Sequence, residues 1–261
     1  MISLDLIRPT GLKLLKEGAE RILVAAFCGN NRPPEFAAYQ QRVFAQFGIP
    51  LNHILVDFSR FNHGAAIDYF LTKIGARYDY LVLFDTDAVP LKPGFIDLAY
   101  EKIRDKRTLF GLAQQSNHIF VNGSKNHVYV GPGTLAISRS MYIRLGRPTF
   151  QETIRSDAAE ELTWRAEELG YTIALVFPSH VHERLWDLGN GHCFGVGTTY
   201  GDSIFHAFQQ GNEKSLRLFI RTCKAILKTG VRASPAGRGG IQRVKELGSR
   251  EDALLSGSPA R

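Results

Sequence analysis

Two aspartates one residue apart, Asp85 and Asp87, stand directly after an apolar run at residues 80–84. Carboxylates are hard oxygen ligands that suit Mg²⁺ or Mn²⁺, and a single pair leaves coordination positions open for phosphate oxygens. A divalent ion that bridges a diphosphate would offset the cost of gathering two negative charges. An Asp-x-Asp pair is a weak motif by itself, because two exposed turn aspartates have the same sequence. The pair alone therefore leaves a metal site and a turn as alternatives.

Alternating strands and helices surround this pair. The predicted strands are residues 21–29, 52–59 and 79–87, and the predicted helices are 33–48, 63–77 and 92–106. Strands that are apolar throughout and alternate with helices predict an α/β fold, with a mostly parallel central sheet covered by helices on both faces. Ligands bind at the carboxyl ends of the strands in such a sheet, and Asp85 and Asp87 fall at such an end.

The second half of the chain has a looser pattern. Residues 128–146 predict a strand, a tight Gly-Pro-Gly turn and a further strand–helix unit. A helix is predicted to end at Gly170 and to be followed by a strand. The glycine-rich stretch 183–203 predicts a loop, and residues 213–228 predict a basic amphipathic helix.

Charge and cysteine content exclude several classes of protein. The net charge of +7 lies entirely in residues 213–261, which carry 11 Lys/Arg and 4 Asp/Glu, whereas residues 1–212 carry 21 of each. The body therefore has no basic bias, and no nucleic-acid partner is expected. The three cysteines lack metal-ligand spacing, which favours free cytosolic thiols. No apolar run approaches the roughly 18 residues of a membrane span, and the charged N-terminus is unlike a signal peptide.

Five segments in order resemble the metal-dependent glycosyltransferases of the GT-A fold, especially their inverting, bacterial, family-two-like group. The segments are ILVAAFCGNN, ILVDFSRFNHGAAIDYFL, DYLVLFDTDAVPLKPGF, GPGTLAISRSMYIRLG and DAAEELTWRAEELGY. The third is the closest match, and the resemblance spans residues 21–208. It implies one GT-A catalytic domain at 21–212, between an N-terminal segment at 1–20, a basic helix at 213–230 and a flexible basic tail at 231–261.

The resemblance also implies roles for individual residues. The metal ligands would be Asp85, Asp87 and His206, with His180, His182 and His192 as competing histidines. The nucleotide-sugar site would include Ala26, Cys28, Asp57, Gly64, Asp85, Thr86 and Gly133. Asp57 is equally well explained as a turn aspartate, and Gly131 and Gly133 as parts of a plain turn.

The chain departs from the family pattern at the catalytic base, because the pattern places Glu-Asp where this chain has Ala158 and Ala159. The nearby acids are Asp157, Glu160 and Glu161, and Asp157 is the first choice. A carboxylate at the start of a helix also caps free N–H groups, so Asp157 has a structural explanation as well.

The implied function is transfer of a sugar from a UDP, GDP or dTDP donor to a glycan, lipid-linked or other hydroxyl acceptor, with Mn²⁺ or Mg²⁺ as cofactor. One alternative is a catalytically inactive GT-A-like module that binds glycans or assembles a complex. Nucleotidyl transfer ranks lower, since the segment FCGNNRPPEF lacks a glycine-rich, basic triphosphate loop.

The basic helix at 213–230 permits two interpretations. Its apolar stripe, opposite a row of lysines and arginines, would suit peripheral contact with an anionic membrane at its inner face. The same stripe would suit packing on the protein's own core, which we favour, because any docked surface helix needs one. The expected location is cytoplasmic in either case.

Overall fold

The computed structural model describes residues 12–116, 127–189 and 191–230, together with the backbone of Ile2–Ser3. The strands are β1 (Ile2–Ser3), β2 (Leu14–Glu17), β3 (Glu20–Gly29), β4 (Asn52–Val56), β5 (Tyr80–Asp85), β6 (Ala88–Pro90), β7 (Thr108–Gln115), β8 (Val128–Ser138), β9 (Thr172–Val176), β10 (Pro178–Gly189), β11 (His192–Tyr200) and β12 (Ile204–His206). The helices are α1 (Pro34–Gln46), α2 (His63–Ile74), α3 (Phe95–Ile103), α4 (Arg139–Arg144), α5 (Glu160–Glu168) and α6 (Glu213–Lys228).

The main sheet has eight strands, seven of them in the order β1-β4-β3-β5-β8-β7-β9, with β2 paired to β3. Four pairings are parallel, namely β1–β4, β3–β4, β3–β5 and β7–β9. Three are antiparallel, namely β2–β3, β5–β8 and β7–β8. This architecture confirms the predicted α/β class with a mostly parallel central sheet. The segment at 1–20, predicted as separate, contributes β1 and β2 to this sheet.

The apolar runs of the central strands are explained by burial on both faces of the sheet. In β5, Val82 and Phe84 belong to the core on one face, which also contains residues of α1, α3 and α6. The intervening Leu81 and Leu83 belong to the core on the opposite face, with residues of α2, α4 and α5. Because successive side chains point to opposite faces, a strand covered on both sides must be apolar at every position.

The predicted Gly-Pro-Gly turn is instead a bulge inside one continuous strand, β8. Its Leu135 pairs with Gly111 of β7 and its Val130 pairs with Ala113, so residues 131–134 lie opposite Leu112 alone. A bulge of this kind bends the strand locally and redirects the chain. It lies just beyond the last β5–β8 pair, Phe84–Thr134, at the edge where β5 ends.

The predicted loop at 183–203 is also wrong, because these residues form most of the antiparallel hairpin β10–β11. A Cβ on Gly195 would collide with the carbonyl oxygen of Glu183 on the partner strand. That glycine therefore permits close approach of two backbones, as glycines inside strands often do. The hairpin belongs to a second sheet of order β10-β11-β12-β6, which ends beside Asp87.

Helix α6 packs on the body of the protein. Leu218, Phe219, Cys223 and Ile226 are buried in the core next to α1. The rings of Phe36 and Phe219 lie 5.0 Å apart. The apolar face that a membrane would need is thus occupied, as the core-packing interpretation expects, and the cationic residues of the helix are exposed. Among the described residues, no helix is long and apolar enough to span a membrane. The predicted tail at 231–261 lies outside the described residues.

Core packing of α6 predicts that Ile226→Val lowers the free energy of unfolding by about 0.5 to 1.5 kcal/mol, because Ile226 is only 6% exposed. The exposed Lys224→Ala variant is the control and should stay within about 0.5 kcal/mol of the wild type. Urea unfolding measures both. Unchanged stability of Ile226→Val, together with sedimentation of the protein on anionic vesicles at low salt, would contradict this arrangement.

Candidate metal and donor site

The candidate site begins where β5 ends. Asp85 is the last residue of β5, and Thr86 and Asp87 form the turn into β6. The side chain of Asp85 is 20% exposed, whereas that of Asp87 is 3% exposed. Asp87 is therefore a buried carboxylate, which is costly unless a cation or hydrogen-bond donors accompany it.

His206 reaches the two aspartates through the second sheet. It is the last residue of β12 and pairs with Ala88 of β6, and the Ala207 N–H donates to the Asp87 carbonyl oxygen at 2.9 Å. The Nε2 atom of His206 lies 3.1 Å from Asp87 Oδ1 and 3.6 Å from Asp85 Oδ2. One ligand atom from each of the three residues falls within 4.8 Å of the others. The chain thus gathers two carboxylates and one imidazole at a single point.

The three groups perturb one another's ionisation. Burial raises the pKa of Asp85, and the nearby Asp87 carboxylate adds to the increase. Burial acts on Asp87 in the same direction, but the attraction of His206 outweighs it and keeps the pKa of Asp87 below its ordinary value. Burial disfavours a charged imidazole, yet the two carboxylates raise the pKa of His206. A divalent cation at this point would take over from the imidazolium proton in balancing the charge of the two carboxylates.

The donor set fits a divalent metal ion. Carboxylate oxygens suit Mg²⁺ and Mn²⁺, and an imidazole nitrogen favours a transition metal over Mg²⁺. Among the described side chains, His206 Nδ1 is buried without a hydrogen-bond partner, while Nε2 faces the carboxylates. A ring held with Nε2 toward two carboxylates presents the nitrogen that a metal would use. Asp85, Asp87 and His206 could therefore hold Mn²⁺.

Gly133 shapes the wall of this site. A Cβ at this position would lie 2.5 Å from His206 Cε1 and 2.6 Å from Nδ1. The ring of Phe208 also packs on this imidazole, with ring centroids 3.7 Å apart. The imidazole thus fills a slot between the β8 bulge and an aromatic ring. Gly133 therefore has a packing role beside the His206 imidazole.

Gly133→Ala should displace the His206 ring and weaken Mn²⁺ binding on the order of tenfold or more, the range expected when the support of a ligand is lost. Titration of the purified protein with Mn²⁺ measures this. Gly211→Ala is the matched control, since its added Cβ would make only ordinary contact, 3.6 Å from Arg32 Nη1. Equal affinities of the two variants would show that the slot does not position His206.

The other proposed donor-site residues have different surroundings. Ala26 is fully buried in β3, between β4 and β5, and Cys28 is buried, which raises the pKa of its thiol to about 12. Thr86 is buried and its hydroxyl accepts from Gln210 Nε2 at 3.2 Å. Gly64 lies in the first turn of α2, where a Cβ would collide with the Phe150 carbonyl oxygen. Ala26 is thus covered by neighbouring strands, Gly64 permits a close backbone approach, and a role for either in donor binding stays a prediction.

Asp57 follows β4 and forms an aspartate turn. Its Oδ1 accepts from the backbone N–H of Ser59 at 3.0 Å, the Ser59 hydroxyl at 2.7 Å and Asn30 Nδ2 at 3.1 Å. These hydrogen bonds, those of Ser59 foremost, lower the pKa of Asp57. The turn interpretation therefore has direct support. The same carboxylate still lies at the carboxyl end of the sheet, where a nucleotide would approach.

The three candidate acids of the α5 region differ in surroundings. Glu160 is fully buried, and its carboxylate accepts from Ser116 Oγ and from the Asp157 N–H, both at 2.7 Å, and lies 2.7 Å from His127 Nδ1. Burial raises its pKa, but these donors outweigh that and lower it. Glu161 pairs with Arg155. Asp157 is half-buried and its Oδ1 accepts from the Ala158 N–H at 2.8 Å.

The cap of α5 differs from the sequence expectation. The N-cap residue is Ala159, in the left-handed conformation and without a side-chain cap, so the Asp157 carboxylate does not fill that position. Glu160 instead reaches back to the Asp157 N–H. The Asp157 carboxylate accepts from the N–H of the next residue, Ala158.

Two histidines that the sequence did not single out contact candidate acids, namely His63 beside Asp85 and His127 beside Glu160. His63 Nε2 lies 3.4 Å from Asp85 Oδ1, and His127 stacks on Trp164 with ring centroids 3.9 Å apart. Asparagine is a common N-cap residue, so the position of His63 at the start of a helix could be predicted from Asn62 before it. The contact of His63 with Asp85, 22 positions later, could not be predicted from the sequence.

No family model and no curated protein matches this chain. Among solved structures, a mutant Drosophila β1,4-galactosyltransferase 7 complexed with manganese, UDP-Gal and xylobiose is 15% identical, with a TM-score of 0.42 over 72% of this chain and 71% of that one. A glycosyltransferase involved in glycosylation of the major capsid of PBCV-1 is 13% identical, with a TM-score of 0.29 over 46% and 62%. The inositol-1-phosphate CTP transferase of T. maritima is 11% identical, with a TM-score of 0.33 over 77% and 76%. These likenesses are weak, so function is inferred from the side chains of the site.

Proposed function

We propose that this protein is a metal-dependent glycosyltransferase that uses a nucleotide-sugar donor. The observation that carries the proposal is the cluster of Asp85, Asp87 and His206, gathered from two sheets at the carboxyl end of β5. Ligands of open α/β sheets bind at this edge. Two carboxylates and one imidazole leave coordination positions for the phosphate oxygens of a nucleoside diphosphate.

Different residues of the site would bind the metal ion and the base of the donor nucleotide. Asp85, Asp87 and His206 would hold the ion, which when bound neutralises charge on the diphosphate leaving group. Asp57, which follows β4 and is separated from β5 by β3, would accept a hydrogen bond from a ring N–H of the base through Oδ2, since Oδ1 already accepts from Ser59 and Asn30. A carboxylate acceptor suits uracil, thymine or guanine.

Asp157 is our proposed general base. The acceptor hydroxyl must lose its proton to a positioned carboxylate as it attacks the anomeric carbon. Glu160 is fully buried, whereas Asp157 is half-buried and thus more accessible to an acceptor, and Glu161, also half-buried, forms an ion pair with Arg155. Attack by a deprotonated hydroxyl in one displacement would invert the anomeric centre. The proposed acceptor is a glycan, lipid-linked or other hydroxyl compound, in the cytoplasm.

A panel of nucleoside diphosphates tests this function without knowledge of the sugar or the acceptor. UDP, GDP, dTDP, ADP and CDP, together with the corresponding triphosphates, are added with and without Mn²⁺ while thermal unfolding is followed. A ligand at 100 times its dissociation constant stabilises by about 2.7 kcal/mol, which shifts Tm by several degrees. One of UDP, GDP or dTDP should raise Tm only when Mn²⁺ is present. Stabilisation by nucleoside triphosphates alone, or by no nucleotide, would contradict the proposal.

A further inference from the structure

We propose that His63 is a positioning residue that fixes the Asp85 carboxylate in the orientation needed to bind the metal ion. The inference rests on the metal site of the proposed function. His63 Nε2 lies 3.4 Å from Asp85 Oδ1, and on the other side of the same carboxylate His206 Nε2 lies 3.6 Å from Oδ2. Asp85 is thus spanned by two imidazoles, one contacting each oxygen.

The polypeptide holds the His63 ring from several directions. His63 is the first residue of α2, and the N-cap side chain of Asn62 accepts from the Ala65 N–H at 2.7 Å, which fixes the start of the helix. Phe27 and Phe58 pack edge-on against the imidazole, with ring centroids 6.1 Å and 6.5 Å away at interplanar angles of 70° and 85°. The ring therefore has a defined orientation that directs Nε2 at Asp85.

The start of α2 is itself anchored to the body of the protein. Gly64, the next residue, lies so close to the backbone of residues 150–151 that any Cβ would collide with it. Asp68, one turn further along, accepts from the Thr149 hydroxyl at 2.5 Å and from the Phe150 N–H at 3.0 Å. The first turn of the helix cannot shift without breaking these contacts. His63 is consequently a fixed support for Asp85.

Support from His63 matters for the orientation of Asp85 but not for that of Asp87. Asp87 is buried and its Oδ1 already faces His206 at 3.1 Å, whereas Asp85 is 20% exposed and could rotate toward water. With a proton on Nε2, His63 would donate to Oδ1 of Asp85, restrain that rotation and keep Oδ2 on the side of His206. Supporting contacts of this kind typically change metal affinity by about 10-fold to 100-fold.

Mn²⁺ binding, measured by the decrease in the electron paramagnetic resonance signal of free Mn²⁺, tests the proposal without nucleotide or activity. His63→Phe keeps a ring between Phe27 and Phe58 but removes the donor, so Mn²⁺ affinity should fall by about 10-fold to 100-fold. His63→Gln places an amide N–H near the position of Nε2 and should recover most of the loss. His180→Phe is the matched control and should bind Mn²⁺ as the wild type does, because His180 is exposed on β10 and lies outside the cluster of Asp85, Asp87 and His206. Thermal unfolding without metal verifies that all the variants fold.

The outcomes separate this inference from the proposed function. If the wild type binds Mn²⁺ and His63→Phe binds it equally well, His63 does not position Asp85, and the metal site stands. Equal losses in His63→Phe and His63→Gln would also overturn the inference, because a donor at that place would not matter. If the wild type itself binds no Mn²⁺, both the inference and the metal-dependent function fail.

Discussion

Replacing Asp87 with asparagine is expected to abolish Mn²⁺-dependent nucleotide binding while leaving the protein folded. Asp87 is the most buried carboxylate of the cluster and lies 3.1 Å from His206 Nε2. Asparagine keeps the size and one acceptor oxygen for His206, so the ring retains a partner. The anionic ligand is lost, and an amide oxygen cannot neutralise a divalent ion. Nucleotide affinity with Mn²⁺ should therefore equal the affinity without it.

The choice of asparagine separates binding from folding. Asp87→Ala would leave the His206 imidazole buried without its partner, and breaking a buried ion pair typically costs about 3 to 5 kcal/mol. Asp97→Asn is the matched control, because Asp97 lies on α3, outside the metal cluster. Asp97 is also an aspartate in a partly buried setting, where burial first and then Glu17 and Glu101 raise its pKa. The Asp97→Asn variant should bind nucleotide as the wild type does. Retention of metal-dependent binding by a folded Asp87→Asn protein would remove Asp87 from the ligand set.

Asp157→Asn should lower turnover by about 10²-fold to 10⁴-fold, which is the usual cost of removing a general base. Donor binding with Mn²⁺ should be unchanged, since the metal ligands come from β5, the following turn and β12. The Asp157 N–H that donates to Glu160 is a backbone group, so the substitution leaves that hydrogen bond in place. Steady-state kinetics with the active donor, together with nucleotide binding, distinguishes loss of chemistry from loss of binding.

The two neighbouring acids provide the comparison. Glu161→Gln removes only a partly exposed ion pair with Arg155 and should have little effect on stability or turnover. Glu160→Gln changes a fully buried acceptor of three contacts and should lower stability. If either glutamate variant shows the loss of turnover with intact stability and Asp157→Asn does not, the base has been misassigned.

Most of the first half of the fold could be predicted from the sequence, because its local and tertiary signals agree. The predicted strands at 21–29, 52–59 and 79–87 have apolar centres at residues 22–28, 54–56 and 80–84, as expected of strands buried on both faces, and the structure has β3, β4 and β5 there. Strand β4 ends at Val56, earlier than predicted, because Asp57 turns the chain through its hydrogen bonds to Ser59.

The second half was less predictable because its glycines have a tertiary role. Gly195 lies in a long strand, where it admits the backbone of Glu183, and Gly133 lies in a bulge beside His206. Glycine usually marks loops and turns, so local propensity suggested a loop and a tight turn at these places. What fixes both glycines is contact with residues distant in the chain, which one sequence does not display.

The candidate site, too, could be predicted only in part from the sequence. Asp85 and Asp87 were recognisable from a strand that ends in two carboxylates, and His206 was one of four histidines considered. His206 reaches the aspartates through the β12–β6 pairing, and His63 through the packing of α2 beside β3. Both approaches depend on how separate elements meet, so residue types and spacing could suggest the ligands but not the support of Asp85.

The most direct test of the central claim is release of nucleoside diphosphate from a panel of nucleotide sugars, measured with and without Mn²⁺ for the wild type and Asp87→Asn. The account predicts that the wild type turns over at least one UDP-, GDP- or dTDP-sugar when Mn²⁺ is present. It also predicts that chelation of the metal, or the Asp87→Asn substitution, stops that turnover. Turnover that survives both metal removal and Asp87→Asn, or metal-dependent nucleotide binding without turnover of any donor and acceptor, would contradict it.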